Sequence, residues 1–321
     1  MKRAILAALA CYALTPGVAA AADNVATATD SVGVVWMGKS GMANRVIAGF
    51  RDHMSKAAPE FSLDVRKELP DANAVTKAVT ELSSKHKGVV VLRSSGSKWL
   101  AKNKTSVPAF IGGGNHPPTL GVVKNMDAPE GNVTGVTYFL DHTLVMETFV
   151  AIAPDASRIA VITQKGHPGG PIDSKGAKVA CEKLFLECTF HEVAKGEGVG
   201  GVIAAAKDAD GFLLGNQAGL YDDKAKFQAA VKAAGSRPIF SLNKKPVEYG
   251  ALASMAADDR KLGKMLAERV ISVIRDGKSV AKTPVGRDPK PILVLNSSTM
   301  KRLKLAVPKQ MLKAAKLVGD S

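Results

Sequence analysis

Short, continuous apolar runs recur along this chain, and most are followed by a segment with helical spacing. The first run is Val32–Met37, which has no polar break, as a strand buried on both faces requires. After a glycine-flanked turn, Val46, Phe50 and Met54 recur at the spacing of one helix face. "FSLDVRKEL" then alternates like a strand, and "NAVTKAVTELSSK" reads as a helix. "GVVVLRS", "SKWLAKN" and "VPAFIGGG" continue as strand, short helix and strand. This β-α-β-α rhythm with short connections predicts a parallel sheet covered by helices.

The rhythm restarts after a Pro/Gly-rich stretch. "TLVMETFVAIAP", "DSKGAKVACEKLF", "VGGVIAAAKD" and "DDKAKFQAAVKAAG" read as helices. Asp173 or Ser174 is the expected N-cap of the second of these. "RIAVITQ", "ECTFHEVA", "ADGFLLG" and "RPIFSLN" read as the strands between and after them. The halves share a pattern and no obvious residue identity. Beyond them come a strand and a long helix in "ALASMAADDRKLGKMLAERVISVIRDGK", then the strand "PILVLN" and the short helix "STMKRLKL". Elements added after a complete second half are free to return to the first. Asp258-Asp259 opens the long helix, where acids suit the helix dipole.

The opening "MKRAILAALACYALTPGVAAAADN" has a basic n-region at Lys2 and Arg3, an apolar core and small residues at Ala20-Ala21-Ala22. It reads as a bacterial-type signal peptide over 1–22, cleaved near Ala22. The apolar core is too short to span a bilayer. Cys11 follows Ala8 by three positions, where a lipobox wants a large aliphatic residue, so a lipid anchor is the lesser expectation. The mature chain is expected in the periplasm as a soluble protein. The full chain's formal charge of +15 is spread thinly, with no basic stripe and only 5% aromatic residues, so nucleic acid is not an expected partner. The positive field suits anionic solutes, an anionic surface or simple solubility. Export permits a disulfide between Cys181 and Cys188, though spacing alone leaves pairing and two buried thiols equally open. No Cys-x-x-Cys or His-x-x-x-His pair supports a metal site, and no cofactor is expected.

Open parallel sheets bind ligands beyond the carboxyl ends of their strands. The segments found there are "MGKSGMAN", "RSSGSKW", "GGGNHPP", "QKGHPGGPIDSK", "GNQAGLYDD" and "SLNKKPVEYG". Glycines, hydroxyls, amides and bases dominate them, which suits a small polar solute. Chemistry is poorly supported: there is no phosphate-binding loop, dinucleotide fingerprint or nucleophile elbow. His116, His142 and His167 lie near this rim, and no catalytic residue is assigned.

Four stretches carry a resemblance: "GNVTGVTYF" at 131–139, "APDASRIAVI" at 153–162, "RPIFSLNKKPVEYGALASMAADDRKLGKMLAERVISVIRDGK" at 237–278 and "PILVLNSSTMKRLKLAVP" at 291–308. With them the chain resembles a type I periplasmic solute-binding protein of ABC transporters, in the subfamily that includes tryptophan- and other aromatic-amino-acid-binding members. The likeness runs roughly from Ser31 to Lys313. It implies two Rossmann-like α/β lobes with parallel sheets, three crossings between them and a ligand in the cleft. The crossings are expected near Asn132–Tyr138, with Gly135 easing the backbone, near Glu248–Ser254 and near Thr283–Pro291. One lobe would comprise 23–134 plus 253–285, the other 135–252 plus 286–321.

Carried over by position, the first-lobe ligand candidates are Met37, Lys39, Ser40, Ser94, Ser95 and Gly114, with Asn115 beside them. The second-lobe candidates are Gln164, Asn216, Gln217 and Asn243. Arg93 joins them as a base at a strand end where a carboxylate could be bound bidentately. Tyr138 joins as a ring that could stack on a planar solute or belong to the core. The family's frequent Ser-Asp after the hinge motif is Tyr138-Phe139 here, and its Asn-Ser loop is "KGHPGGPIDS". These departures count against an aromatic amino acid itself, while the loop bases Lys39, Arg93, Lys165 and Lys244, with the family, point to a small organic acid or an aromatic, amino-acid-like solute. The expected partner is a membrane permease, the expected state a monomer. A sensory receptor of the same build and, less so, an exported α/β enzyme are the alternatives.

Overall fold

The computed structural model describes residues 30–319. The expected signal peptide and its cleavage point lie outside them. The first sheet is built from β1 (Ser31–Met37), β2 (Ser62–Leu69), β3 (Gly88–Leu92), β4 (Ala109–Gly114) and β5 (Val133–Thr137). Between the first four run α1 (Gly41–Ala57), α2 (Ala72–Lys85) and α3 (Arg93–Lys102). All pairings are parallel. The second half runs α4 (His142–Ile152), β6 (Arg158–Gln164), α5 (Gly170–Lys183), β7 (Glu187–Val193), α6 (Gly200–Ala205), β8 (Gly211–Leu214), α7 (Lys224–Ala234), β9 (Ile239–Ser241), α8 (Lys245–Glu248) and β10 (Ala253–Ala256). The chain then returns as α9 (Asp259–Ile274) and β11 (Gly286–Arg287). It ends with β12 (Ile292–Asn296), α10 (Ser297–Leu303), α11 (Lys309–Ala314) and β13 (Lys316–Val318).

Two sheets result. One has the order β11-β5-β4-β3-β1-β2, the other β13-β12-β10-β9-β8-β6-β7. Each is a doubly wound α/β lobe, as expected. Continuous apolar strands explain the layering: β1, β3, β4 and β8 are buried almost throughout, so helices must cover both faces. In the first lobe, α1 and α9 pack on one face with Val46, Phe50, Leu262 and Leu266. On the other face α2 contributes Val75, Val79 and Leu82. The second lobe has a matching pair of apolar layers, one around Phe149 and Phe240, whose rings stack at 4.1 Å, and one around Phe212 and Phe227.

Two of the crossings lie a few residues from where the sequence placed them. β5 pairs with β4, so Val133–Thr137 is a strand of the first lobe and the chain changes lobes over Tyr138–Asp141. Gly135 is not at the hinge. It lies inside β5 with φ +136°, where a Cβ would sit 2.0 Å from the Ile111 carbonyl oxygen. Glu248 lies on α8 and β10 belongs to the second sheet, so the second crossing is Ala257-Asp258 rather than Glu248–Ser254. β11 pairs with β5, so the third crossing is 288–290, inside the expected Thr283–Pro291. Strand and hinge are both extended, and hydropathy alone does not separate them. β12 runs antiparallel to β10 because the third crossing delivers it at the hinge end, opposite Ala256.

Asp288 ties two of these segments together. Its buried carboxylate accepts from the Asp258 N–H at 2.9 Å, the Lys290 N–H at 2.9 Å and the Lys261 ammonium at 2.5 Å. Cys181 at the end of α5 and Cys188 at the start of β7 form a disulfide with Cα atoms 6.3 Å apart, which settles the choice the spacing left open.

The returning helix α9 depends on two glycines. A Cβ at Gly263 would lie 2.0 Å from the Val46 carbonyl oxygen, and one at Gly49 would lie 2.1 Å from that of Arg260. Gly263→Ala is therefore expected to lower unfolding free energy in urea by about 1–3 kcal/mol through overpacking. Gly201→Ala, on α6 with nothing within 4 Å of its Cβ position, should instead stabilise by about 0.4–1 kcal/mol. Reducing the disulfide releases a short loop and should cost roughly 2–3 kcal/mol in the same measurement.

Candidate functional site

Every crossing leaves a strand at its carboxyl end, so the carboxyl ends of both sheets face one seam. The loops expected to hold ligand contacts accordingly meet there. On the first-lobe side, β4 ends in Gly114 and Asn115. Thr137 at the end of β5 donates its hydroxyl to the Gly114 carbonyl at 2.8 Å, and the Tyr138 N–H donates to the same oxygen at 3.1 Å. Asn115 is 1% exposed. Its N–H donates to the Ser94 hydroxyl at 2.9 Å, and its side-chain oxygen accepts from the His116 N–H at 2.8 Å. That leaves the Asn115 amide nitrogen pointing across the seam.

On the second-lobe side, β8 leads into Asn216 and Gln217. The buried Gln217 accepts from the Gln164 N–H at 3.2 Å. Asn243, beyond β9, donates its amide to the Asn216 side-chain oxygen at 2.8 Å. Asp173, in the first turn of α5, joins the two sides. Its Oδ1 accepts from Asn115 Nδ2 at 3.0 Å across the lobes. Its Oδ2 accepts from the Asn216 N–H at 2.9 Å and from Gln217 Nε2 at 2.5 Å. Ser94, Gly114, Asn115, Tyr138, Gln164, Asn216, Gln217 and Asn243 thus belong to one connected polar cluster around a carboxylate that sequence reasoning treated as a possible helix cap. The helix starts earlier, at Gly170 with Gly169 as its cap, so Asp173 is released from capping and turns inward.

The other candidates sit elsewhere. Ser40 caps α1 by accepting from the Ala43 N–H at 3.2 Å, and Lys39 is exposed. Met37 and Ser95 line a small cavity with Val75, Val91, Gly96 and Trp99, between the first sheet and its covering helices. Arg93 has φ +74° and folds its guanidinium back onto the Met37 and Gly38 carbonyls. Both of these bonds come from its Nη1. Burial lowers its pKa, and only the nearby Tyr138 offsets this.

Aromatic groups close the seam near the first crossing. Phe139 lies between His116, at a ring separation of 4.4 Å, and His142, at 5.6 Å. The buried His142 has Nε2 3.7 Å from Asp173 Oδ1, beyond hydrogen-bond reach. Burial pushes the Tyr138 and Tyr221 hydroxyls well above the usual phenol range, so both are neutral groups at the seam. Tyr221 and Arg45 carried no signal in the sequence. Arg45 pairs with Asp259 at 2.7 Å, so Asp258 caps α9 while Asp259 faces the seam as half of an ion pair. Among the described residues no group of side chains could hold a metal ion, and no helix is long and apolar enough to cross a membrane.

His167 reports on this environment. Its Nδ1 accepts from the Gly169 N–H at 3.0 Å, so that nitrogen is unprotonated. Burial is the largest cause of its lowered pKa. Arg93 and Lys98 lower it further, and Asp173 opposes them. The unfolded chain, with His near 6.5, therefore takes up the proton first. Its contribution is complete above about pH 6.5 and is lost as pH falls through the lower folded value. Unfolding free energy should drop between about pH 7 and pH 5, and His167→Gln should flatten that slope. A wild-type slope equal to the variant's would count against this.

Comparison with known proteins agrees with the geometry. Residues 39–318 match the family model for ABC transporter substrate binding protein. A tyrosine-binding protein from Clostridioides difficile (strain R20291) is 24% identical over 258 residues, 80% of this chain and 74% of that one. An ABC domain in complex with L-Trp from Streptococcus pneumonia superposes with a TM-score of 0.74 at 20% identity, covering 90% of this chain and 99% of the other. A ligand-free, open substrate binding protein with adhesive properties from Clostridium difficile gives a TM-score of 0.76 at 18% identity, covering 91% and 100%. Those relatives are binding proteins rather than enzymes. With two α/β lobes joined by three crossings and a family match over most of its length, the chain belongs to the ABC transporter substrate-binding proteins.

Proposed function

We propose that this protein is a periplasmic receptor, exported by its N-terminal segment and cleaved near Ala22. It would close its lobes on a small polar solute, amino-acid-like and in part planar, and hand that solute to the permease of an ABC transporter. The observation that carries this reading is the meeting of amide side chains from both lobes at one seam, with Asn115 on one side and Gln217, Asn216 and Asn243 on the other. Amides offer donors and acceptors in fixed directions, so they orient a polar solute without committing to one charge. Tyr138 and Phe139 beside them supply apolar faces for a planar group. A relative named as a tyrosine-binding protein and a structural neighbour in complex with L-Trp support the same class. The hinge supplies the motion, since both lobes contribute groups that only closure brings together. A single chain holds the complete cluster, which supports a monomer.

A thermal-shift screen over amino acids, aromatic acids and nucleosides tests the proposal. A solute at 100 times its Kd stabilises the folded protein by about 2.7 kcal/mol, a shift of several degrees at most. Aromatic amino acids are expected to raise Tm, and Asn115→Ala and Gln217→Ala to weaken that response. Silence across the whole screen would refute the receptor reading.

A further inference from the structure

The cluster at the seam has the composition of an anion site. Asn115 Nδ2, the Asn216 N–H and Gln217 Nε2 are all donors, they come from both lobes, and they converge within 3.0 Å of two oxygen atoms. The anion they hold is the protein's own. Asp173 is only 3% exposed, and no lysine or arginine pairs with it among the described residues. Removing a carboxylate from water without a counter-ion is costly, and the three N–H bonds are what offset it. Arg93, on the first lobe, turns its Nη1 to the Met37 and Gly38 carbonyls rather than to Asp173. Arg45 is paired with Asp259. The remaining groups facing this corner, Tyr138, Tyr221, His142 and His167, include no fixed positive charge.

Two consequences follow for a solute. A carboxylate brought here would meet donors already taken and a buried negative charge in a region of low dielectric, which is strongly repulsive. An ammonium meets the reverse. Each carboxylate oxygen can accept more than one bond, and Oδ1 holds a single close donor, Asn115, which belongs to the opposite lobe. When the lobes part, that donor leaves with its lobe and Oδ1 faces the cleft. The buried Tyr221 hydroxyl, which has no hydrogen-bond partner, lies in the same electrostatic neighbourhood as Asp173 and Tyr138.

We propose that Asp173 is a specificity-determining residue of the cleft: it selects solutes that bring an ammonium or other cationic N–H group to this corner and excludes those whose only charge is a carboxylate. The inference rests on the receptor reading above and narrows it, since it removes simple organic acids from the solute class.

The test is calorimetric titration with matched triplets: L-tyrosine, tyramine and 3-(4-hydroxyphenyl)propionate, and L-tryptophan, tryptamine and indole-3-propionate. The wild-type protein should bind an amine-bearing member of a triplet at least about 100-fold more tightly than its propionate. Asp173→Asn keeps the shape and removes the charge. It should weaken amine binding by about tenfold or more and strengthen propionate binding, so the preference narrows or inverts. Propionates that bind wild type as well as the amines would overturn the inference. So would an Asp173→Asn protein, folded by circular dichroism, whose preference matches wild type. Should that variant not fold, the wild-type triplets still decide the exclusion. A neutral solute that binds both proteins equally, with no triplet member bound, would overturn the role of Asp173 and leave the receptor reading standing. No solute binding at all would remove both.

Discussion

Parallel strands all end on the same side of a sheet, and here each passage between lobes begins at such an end. The chain leaves β5 for α4, β10 for α9 and β11 for β12, always from a strand's carboxyl terminus. With all three passages on one side, the two sheets must present those ends to each other. The seam is thus where loops, helix starts and unpaired backbone groups of both lobes accumulate. The buried strands supply rigidity on either side, and the seam supplies the polar groups. The packing of α9 on α1 keeps this arrangement honest: a helix that follows the second lobe in sequence is locked into the first by glycine-to-backbone contact at Gly263 and Gly49.

At the seam the electrostatics are economical. Three of the strong bases near it are committed. Arg93 is held by carbonyls, Arg45 by Asp259, and Lys261 by Asp288. None of these three pairs with Asp173, which is held by amide and backbone donors. Amides and neutral hydroxyls remain, arranged around one buried carboxylate. Burial dominates the shifts seen there: it lowers His116 and His167, raises Tyr138 and Tyr221, and raises Asp259 against its arginine. Each of these moves favours the uncharged form.

Much of the architecture was visible in the residues because buried parallel strands have an unmistakable composition. Val32–Met37 and Gly88–Leu92 have nowhere to go but the middle of a covered sheet. The loops that follow them could be nominated for the same reason, and the family resemblance picked Asn115, Gln217 and Asn243 within them. Direction within a loop could not be read. Ser95 and Asn115 both follow strands, yet one faces a cavity under the helices and the other faces the opposite lobe. Asp173 was hidden by its setting, since an acid near a helix start looks like a cap. Its real partner is 58 residues away, on another lobe. The first crossing was displaced because Val133–Thr137 and Tyr138–Asp141 are both extended, and only pairing with β4 tells strand from hinge.

Asp288 has a mechanical meaning. By holding the Asp258 and Lys290 N–H groups together, it fuses the second and third passages into one strut. Tyr138–Asp141 is then the only other tether between the lobes. Two tethers define a line. In the proposed closure, a swing of one lobe against the other would be a rotation about that line, with Asn115 and Asp173 on arcs around one axle and back in register when the jaws shut.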